Sequence, residues 1–281
     1  MSGIPPGSKA CPFRGISQLR VVRPRYRDGM RVRGLSRRIT VAATCVLALS
    51  LPGLPATANQ DLPLAGRTVF LDPGHNGAND ASITTQVPTG RGGTKNCQTT
   101  GTSTDSGYAE HTFNWDVATL VRAELERLGA HVLLSRPDDT SVAACVDRRA
   151  EEANASGADV VVSLHADGGP ADGHGFHVNY SAPPLNEVQA GPSVALATAV
   201  RDALVDAGLS PSTYLGTDGL LGRDDLAGLN LARRPSVLVE FGNMRNAADA
   251  ATMTGPEGRQ RYATAVVAGI VAFAGEPAEA L

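Results

Sequence analysis

Apolar positions along the chain follow two alternating rhythms. Short unbroken runs occur in "RTVFLDPG" (67–74), "HVLLSR" (131–136), "ADVVVSLHA" (158–166) and "PSVLVEFG" (235–242). Each is bounded by turn residues and reads as a buried strand. Between them the spacing becomes helical. Phe113, Val117, Val121, Leu125 and Leu128 share one face of a helix starting near Glu110, and Gly129 is its stop. "SVAACVDRRAEEANAS" (141–156) and "SVALATAVRDALVDAG" (193–208) read as further helices, and Pro256 opens a last one in "EGRQRYATAVVAGIVAFAG". "GFHVNYS" (175–181) reads as a strand towards the sheet edge, and Asn76 to Gly107 as a glycine-rich loop without a core of its own. Strands separated by helices imply crossover connections. The predicted fold is a single α/β domain, with a twisted, mostly parallel sheet covered by helices on both faces.

In such sheets the ligand crevice lies outside the carboxyl ends of the strands. Three runs deliver a titratable group there: His75 after "VFLDPG", His165 in "VVVSLHADG" and Glu240 in "SVLVEFGNM". Glu110 is a fourth candidate. It stands three and seven residues before Phe113 and Val117, so it projects from the inward side of its helix in the first turn. A helix N-terminus favours an acid, but burying an unpaired carboxylate is costly. A metal ion removes that difficulty, because two imidazoles and a carboxylate with one open position make a His2Glu zinc site. On spacing alone two readings stand: such a site, or three separate polar residues at strand ends.

Charge divides the chain. Ten of its 25 basic residues but one of its 28 acids lie in residues 1–58, which leaves about −12 on the remainder. That balance argues against nucleic acid as a partner, since phosphate contacts need Lys and Arg. The basic start fits a targeting segment, with "MRVRGLSRR" (30–38), the apolar "ITVAATCVLALSLPGL" (39–54) and the small-x-small "ATA" (56–58). About 16 apolar residues interrupted by proline are short for a membrane span. Residues 1–58 are therefore expected to be a removed signal region, with Met30 as an alternative start. Residues 59–281 then form an exported domain with no stable membrane insertion. Cys97 and Cys145 remain after cleavage, and an even pair in an exported protein is expected to be a disulfide; two free buried thiols are the alternative.

Four stretches, "VFLDPGHNG", "YAEHTFNWDVATLVRAELERLGAHVLLSRPDD", "DRRAEEANASGADVVVSLHADG" and "PSVLVEFGNMRNAAD", together resemble the zinc-dependent N-acetylmuramoyl-L-alanine amidases that cut bacterial peptidoglycan. They occur in the family's order from residue 67 almost to the C-terminus. The resemblance implies that His75, Glu110 and His165 bind Zn2+ and that Glu240 is the catalytic carboxylate. It also implies a peptidoglycan or muropeptide substrate. Asp167, where the family often has Asn, and "FGNMRN", where it usually has "GFISN", depart from the pattern without touching a proposed ligand.

Other titratable residues have plainer readings. His111 points about 100° away from Glu110 around the helix, towards Trp115 and Arg122. His174 and His177 flank a glycine-rich turn and a strand, His177 with access to the crevice. His131 opens a strand, and Arg136 and Arg148 suit pairing with acids such as Asp138 or Glu152. Asp72 suits either a turn or an orienting contact to a histidine. The four chosen groups would serve any acyl-amide hydrolysis, so the competing readings are a zinc peptidase or deacetylase on another wall substrate, and a silent wall-binding module.

Overall fold

The computed structural model describes residues 62–275. The expected targeting segment, its cleavage site near Ala58, Met30, Cys11 and Cys45 lie outside the described residues. The elements in chain order are β1 (Thr68–Pro73), β2 (Gln86–Pro88), β3 (Thr94–Asn96), α1 (Glu110–Arg127), β4 (His131–Leu134), α2 (Val146–Ala155), β5 (Val160–Asp167) and β6 (His177–Ser181). There follow α3 (Glu187–Ala190), α4 (Pro192–Asp206), β7 (Leu220–Arg223), α5 (Ala227–Asn230), β8 (Ser236–Asn243), α6 (Ala247–Thr254) and α7 (Pro256–Ala274). Six strands make one sheet in the order β4-β1-β5-β8-β6-β7. β4, β1, β5 and β8 run parallel, β6 is antiparallel to β8, and β7 is parallel to β6.

The period of two along each strand sorts side chains between faces. Val69, Leu71, Val160, Val162, Leu164, Val237, Val239 and Phe241 face one layer, where they meet Phe113, Val117, Val121 and Leu125 of α1, Leu196, Val200 and Leu204 of α4, and Tyr262, Val266 and Ile270 of α7. That layer is the main core. The other face carries a smaller cluster of Phe70, Ala153, Ala158 and Val161. Its polar side chains, Asp72, Ser163, His165 and Glu240, line a cavity of about 460 Å³ with residues of α2 and α5. Helices therefore cover both faces, and the crevice opens on the thinly packed one.

Several elements differ from the sequence reading. β6 does lie towards the edge, but an additional four-residue strand containing Gly222, β7, lies outside it. The helix expected over 141–156 begins only at Val146, because Cys145 is its extended N-cap. The loop 76–107 holds the β2–β3 hairpin, whose three-residue strands are too short to announce themselves by alternation. Arg91 and Lys95 anchor that hairpin across the crevice. Arg91 donates to Asn230 Oδ1 at 3.0 Å and Ser181 Oγ at 3.1 Å, and Lys95 to the Asp225 carbonyl at 3.0 Å. Arg136 pairs with Asp139, not Asp138, and is buried; Arg148 pairs with Glu151, not Glu152.

Cys97 and Cys145 are bonded, joining the strand end of the hairpin to the start of α2 across 48 residues of sequence. The Val146 amide also donates to the Cys97 carbonyl at 3.0 Å. On the chain-entropy model the crosslink contributes at most about 4 kcal/mol. Cys97→Ser is expected to lower the melting temperature and to speed proteolysis within 76–107 while the sheet stays folded. A thermal melt and a timed digest check both.

Candidate functional site

The site is assembled from strand tips and one helix start. β1 and β5 are parallel neighbours with Pro73 opposite Leu164, so His75, just past the end of β1, meets His165 near the end of β5. Their rings lie edge to face, with centroids 4.8 Å apart. Glu110, the first residue of α1, comes from beneath the other face and overhangs both. Its Oε1 lies 2.9 Å from His75 Nε2 and 3.0 Å from His165 Nδ1. The ligand atoms of the three residues are all within 4.8 Å of one another, a grouping that could hold a metal ion.

Local backbone explains how three such groups approach so closely. Gly74 has no side chain because a Cβ there would sit 2.1 Å from His165 Cε1. Gly101, at φ +75°, passes over the centre; a Cβ would be 2.7 Å from Glu110 Oε2 and 2.9 Å from His75 Cδ2. His75 itself adopts φ 63°, a left-handed conformation that costs a non-glycine residue unless its surroundings impose it. They do. Arg149 Nη2 donates to the His75 carbonyl at 2.8 Å, and the Thr99 carbonyl accepts from His75 Nδ1 at 2.9 Å. That second bond orients the ring and turns Nε2 inward, towards Glu110.

Glu110 is only 4% exposed. Burial works against its charge, but hydrogen bonds from His165 and His75 outweigh it and hold the carboxyl well below its usual range. Backbone amides complete its shell: Thr102 donates to Oε2 at 2.9 Å and Ala166 to Oε1 at 3.2 Å. Burial also lowers the basicity of His75, yet the Glu110 hydrogen bond more than restores it. The donor set is one carboxylate and two imidazoles, each oriented by a further hydrogen bond or by glycine-sized neighbours. It matches the oxygen and nitrogen ligands that zinc takes.

Glu240 sits beside this group, because β8 pairs with β5 in a register that puts it opposite His165. No hydrogen bond to its carboxylate exists among the described residues, and Oε2 is buried without a partner. Burial, then the charges of Glu110 and Asp167, raise its pKa well above the ordinary carboxylate value. His111 is turned away from the centre and pairs with Asp139 at 2.9 Å rather than facing Trp115 and Arg122.

Beneath the histidines lies a cluster that the sequence reading missed in part. Arg149, 3% exposed, donates to Asp72 Oδ1 at 2.8 Å, to Asn76 Oδ1 at 2.8 Å and to the carbonyls of Pro73 and His75. Asp72 also accepts from Ser135 at 2.6 Å and from Ser163 at 2.7 Å. Its contact to the histidines thus runs through Arg149. Arg149 had a faint signal: with Ala150 and Ala153 it forms the buried side of α2, at positions i, i+1 and i+4.

The comparisons with known proteins agree with this architecture. The family described as N-acetylmuramoyl-L-alanine amidase matches residues 69–272. The chain belongs to that amidase family, a family of amide hydrolases. It is 58% identical over 235 residues to the N-acetylmuramoyl-L-alanine amidase Rv3717 of Mycobacterium tuberculosis, covering 84% of this chain and 95% of that protein. Among solved structures it resembles the N-acetylmuramyl-L-alanine amidase Ami1 of Mycobacterium smegmatis, with TM-score 0.75, 59% identity, and coverage of 75% of this chain and 98% of the other. The Ami1 of Mycobacterium abscessus is similar at TM-score 0.74 and 62% identity, over 75% and 99% of the two chains. No helix among the described residues is long and apolar enough to cross a membrane.

Asp72 makes a test of the cluster. Burial raises its pKa, but Arg149 and the hydroxyls of Ser135 and Ser163 overcome that and lower it from 3.8 to about 2. A carboxyl with a depressed folded pKa contributes stability above its unfolded pKa and loses it as pH falls towards the folded one. That contribution is about 2 kcal/mol. In denaturant titrations, Asp72→Asn is expected to be less stable than the parent by a constant margin from pH 5 to 7. The margin should narrow by about 2 kcal/mol between pH 4 and 2.

Proposed function

We propose that the chain uses zinc to hydrolyse the amide joining the lactyl group of N-acetylmuramic acid to L-alanine of the stem peptide, in peptidoglycan or its released fragments. In this reading His75, Glu110 and His165 hold the ion and Glu240 carries the proton. The supporting observation is the convergence of three buried donors within 4.8 Å of one another, beside a carboxylate that has no other task. Family membership supplies the substrate class.

Bound there, the ion supplies Lewis acidity, which polarises an amide carbonyl and makes water a stronger acid. The protein's own groups do the rest. Glu110 neutralises charge at the centre, and the backbone amides of Thr102 and Ala166 support its ionised form. Glu240, at the crevice end of β8, takes a proton from the attacking water on its carboxylate. It then returns that proton to the departing nitrogen of L-alanine. Burial raises the pKa of Glu240, which favours proton uptake; a positive ion beside it would pull the other way. The cavity of about 460 Å³ that contains these groups is lined on the α2 and α5 side by Ala150, Ala153, Ala227 and Leu229. The three alanines leave room for an extended chain.

The place of action in this reading is outside the cytoplasm. A removable basic and apolar N-terminus, an acidic remainder and a disulfide all suit export to the cell wall.

Glu240→Gln is expected to fold, keep its zinc and lose turnover by about two to four orders of magnitude. Metal analysis with mass spectrometry of free dipeptide released from muramyl dipeptide checks this. A chelator should abolish release by the parent. Release that persists without metal would sink the zinc reading, and metal-independent binding without turnover would favour a wall-binding module.

A further inference from the structure

The cavity that contains the metal-holding group extends well beyond it. Ser236, Leu238 and Glu240 of β8 all line it, and the period of two puts them on one face of the sheet. Four residues of strand separate the first from the last, about 13 Å along β8. The cavity therefore runs down the thinly packed face, away from the rim. Its far end is marked by β6 and β7. His177 pairs with Glu240 at the rim, β6 runs from there to Ser181, and Arg223 of β7 pairs with Ser181. Asp225 follows two residues later and lies at that far end too.

Lys95 reaches that end from the hairpin above. It pairs with Val87, and residues directly opposed across two strands point to the same side. Val87 is buried while Gln86, Pro88, Thr94 and Asn96 are exposed, so the side shared by Val87 and Lys95 is the inward one. The hairpin is held at both ends, by the Cys97–Cys145 bond and by Arg91 on Asn230 and Ser181. The Lys95 ammonium donates to the Asp225 carbonyl at 3.0 Å. An ammonium has three donors, and among the described residues no acidic side chain pairs with this one. Arg223 holds the Asp225 carboxylate at 2.6 and 2.7 Å. The other cation of the cavity wall, Arg149, is committed to Asp72, Asn76 and the carbonyls of Pro73 and His75. Among the described residues, Lys95 is thus the one lysine or arginine of the wall with donors to give.

We propose that Lys95 determines specificity on the peptide side of the scissile amide: the stem peptide extends from the metal-holding group along β8, and the Lys95 ammonium binds a carboxylate on its third residue. This rests on the reading of the site as a muramyl amidase and adds which part of the substrate it reads. Length supports it. An extended peptide advances at most about 3.6 Å per residue, and the second stem residue of peptidoglycan is joined on through its longer side-chain carboxyl. A span of about 13 Å from the scissile amide is therefore reached at the third residue, not at the second. Charge supports it as well. The wall near the metal-holding group carries Glu110, Asp167 and Glu240, which disfavour a second anion there, so a stem carboxylate is attracted only at the far end. A compact ammonium on a flexible stem can follow such a group without demanding the planar geometry a guanidinium needs.

The purified full chain and its Lys95→Met, Lys95→Arg and Lys95→Glu variants should be compared on muramyl tripeptide with the terminal carboxyl free or amidated. For the parent, kcat/KM is expected to be about five- to ten-fold higher on the free acid, with the difference in KM. In Lys95→Met that ratio should fall to about one, in Lys95→Arg it should persist, and in Lys95→Glu it should invert. A ratio taken on one preparation does not depend on how much of the protein is folded, so a loosened hairpin does not mimic this pattern. A parent ratio within about two-fold of one would overturn the proposal, as would an undiminished preference in Lys95→Met. A preference carried by kcat would overturn it too, by moving the role to the chemical step. Muramyl dipeptide, which ends short of Lys95, reports on the reaction alone. If it and both tripeptides stay intact, the amidase reading falls, and calorimetry with the free tripeptide decides this inference separately. Lys95→Met should bind that peptide about five- to ten-fold more weakly than the parent, and equal affinity would overturn the proposal.

Discussion

A carboxylate nearly sealed from water has to be answered by positive charge or by N–H groups, and Glu110 sets that condition for the whole site. An ionised acid in low dielectric costs several kcal/mol when unpaired. Glu110 avoids that cost by facing His75 at 2.9 Å and His165 at 3.0 Å, with two backbone amides behind. The demand propagates outward. The amide of Thr102 has to come within reach, so the chain passes over the centre at Gly101, and His165 can approach only because Gly74 has no side chain. His75 is held in a left-handed conformation to present Nε2. The strain of that backbone, the two glycines and the first turn of α1 are consequences of one buried charge.

The second level of support is cationic. Arg149 binds the carbonyl of His75, that of Pro73, the side chain of Asn76 and Asp72. A guanidinium suits this because its planar fork of five donors can serve several fixed acceptors at once. Asp72 neutralises it, and the hydroxyls of Ser135 and Ser163 bind Asp72 from β4's end and from β5. The arrangement ties β1, β5, α2 and the turn carrying His75 into one unit. Because each charge has its partner, the unit holds the histidine without leaving a free ion under it.

How much of this could be read from the chain follows from the range of each signal. The four parallel strands and α1 are legible, since their apolar rhythm is local and long enough to repeat. His75, His165 and Glu240 are legible as strand-end groups, because parallel sheets gather such ends at one rim. The β2–β3 hairpin is not, its strands being three residues long, and neither is β7, whose four residues include Gly222 and Arg223 and only two apolar side chains. Arg149 is nearly invisible within "DRRAEEAN", a stretch whose charges read as a solvated face. Its burial is decided by Asp72 and His75, more than 70 residues away. The place of His177 depends on which strand neighbours β8, and that is a property of topology rather than of local sequence. The expectation that β6 lies towards the sheet edge holds, with the unread β7 outside it.

The two faces of the sheet explain why the crevice is where it is. One face is filled by Val, Leu, Phe and Ile from three long helices and carries most of the apolar burial. The opposite face carries short or small-residue elements, α2 and α5, which leave a cavity rather than a second full core. A mixed sheet can leave one face thinly covered because the other supplies the stability. This division lets polar and strained groups collect at the strand tips without unfolding the domain. Reversal of β6 brings the first residue of that strand, rather than its last, to the same rim as the ends of β5 and β8. His177 can stand opposite Glu240 only with that reversal; a fifth parallel strand would place its carboxyl end there instead.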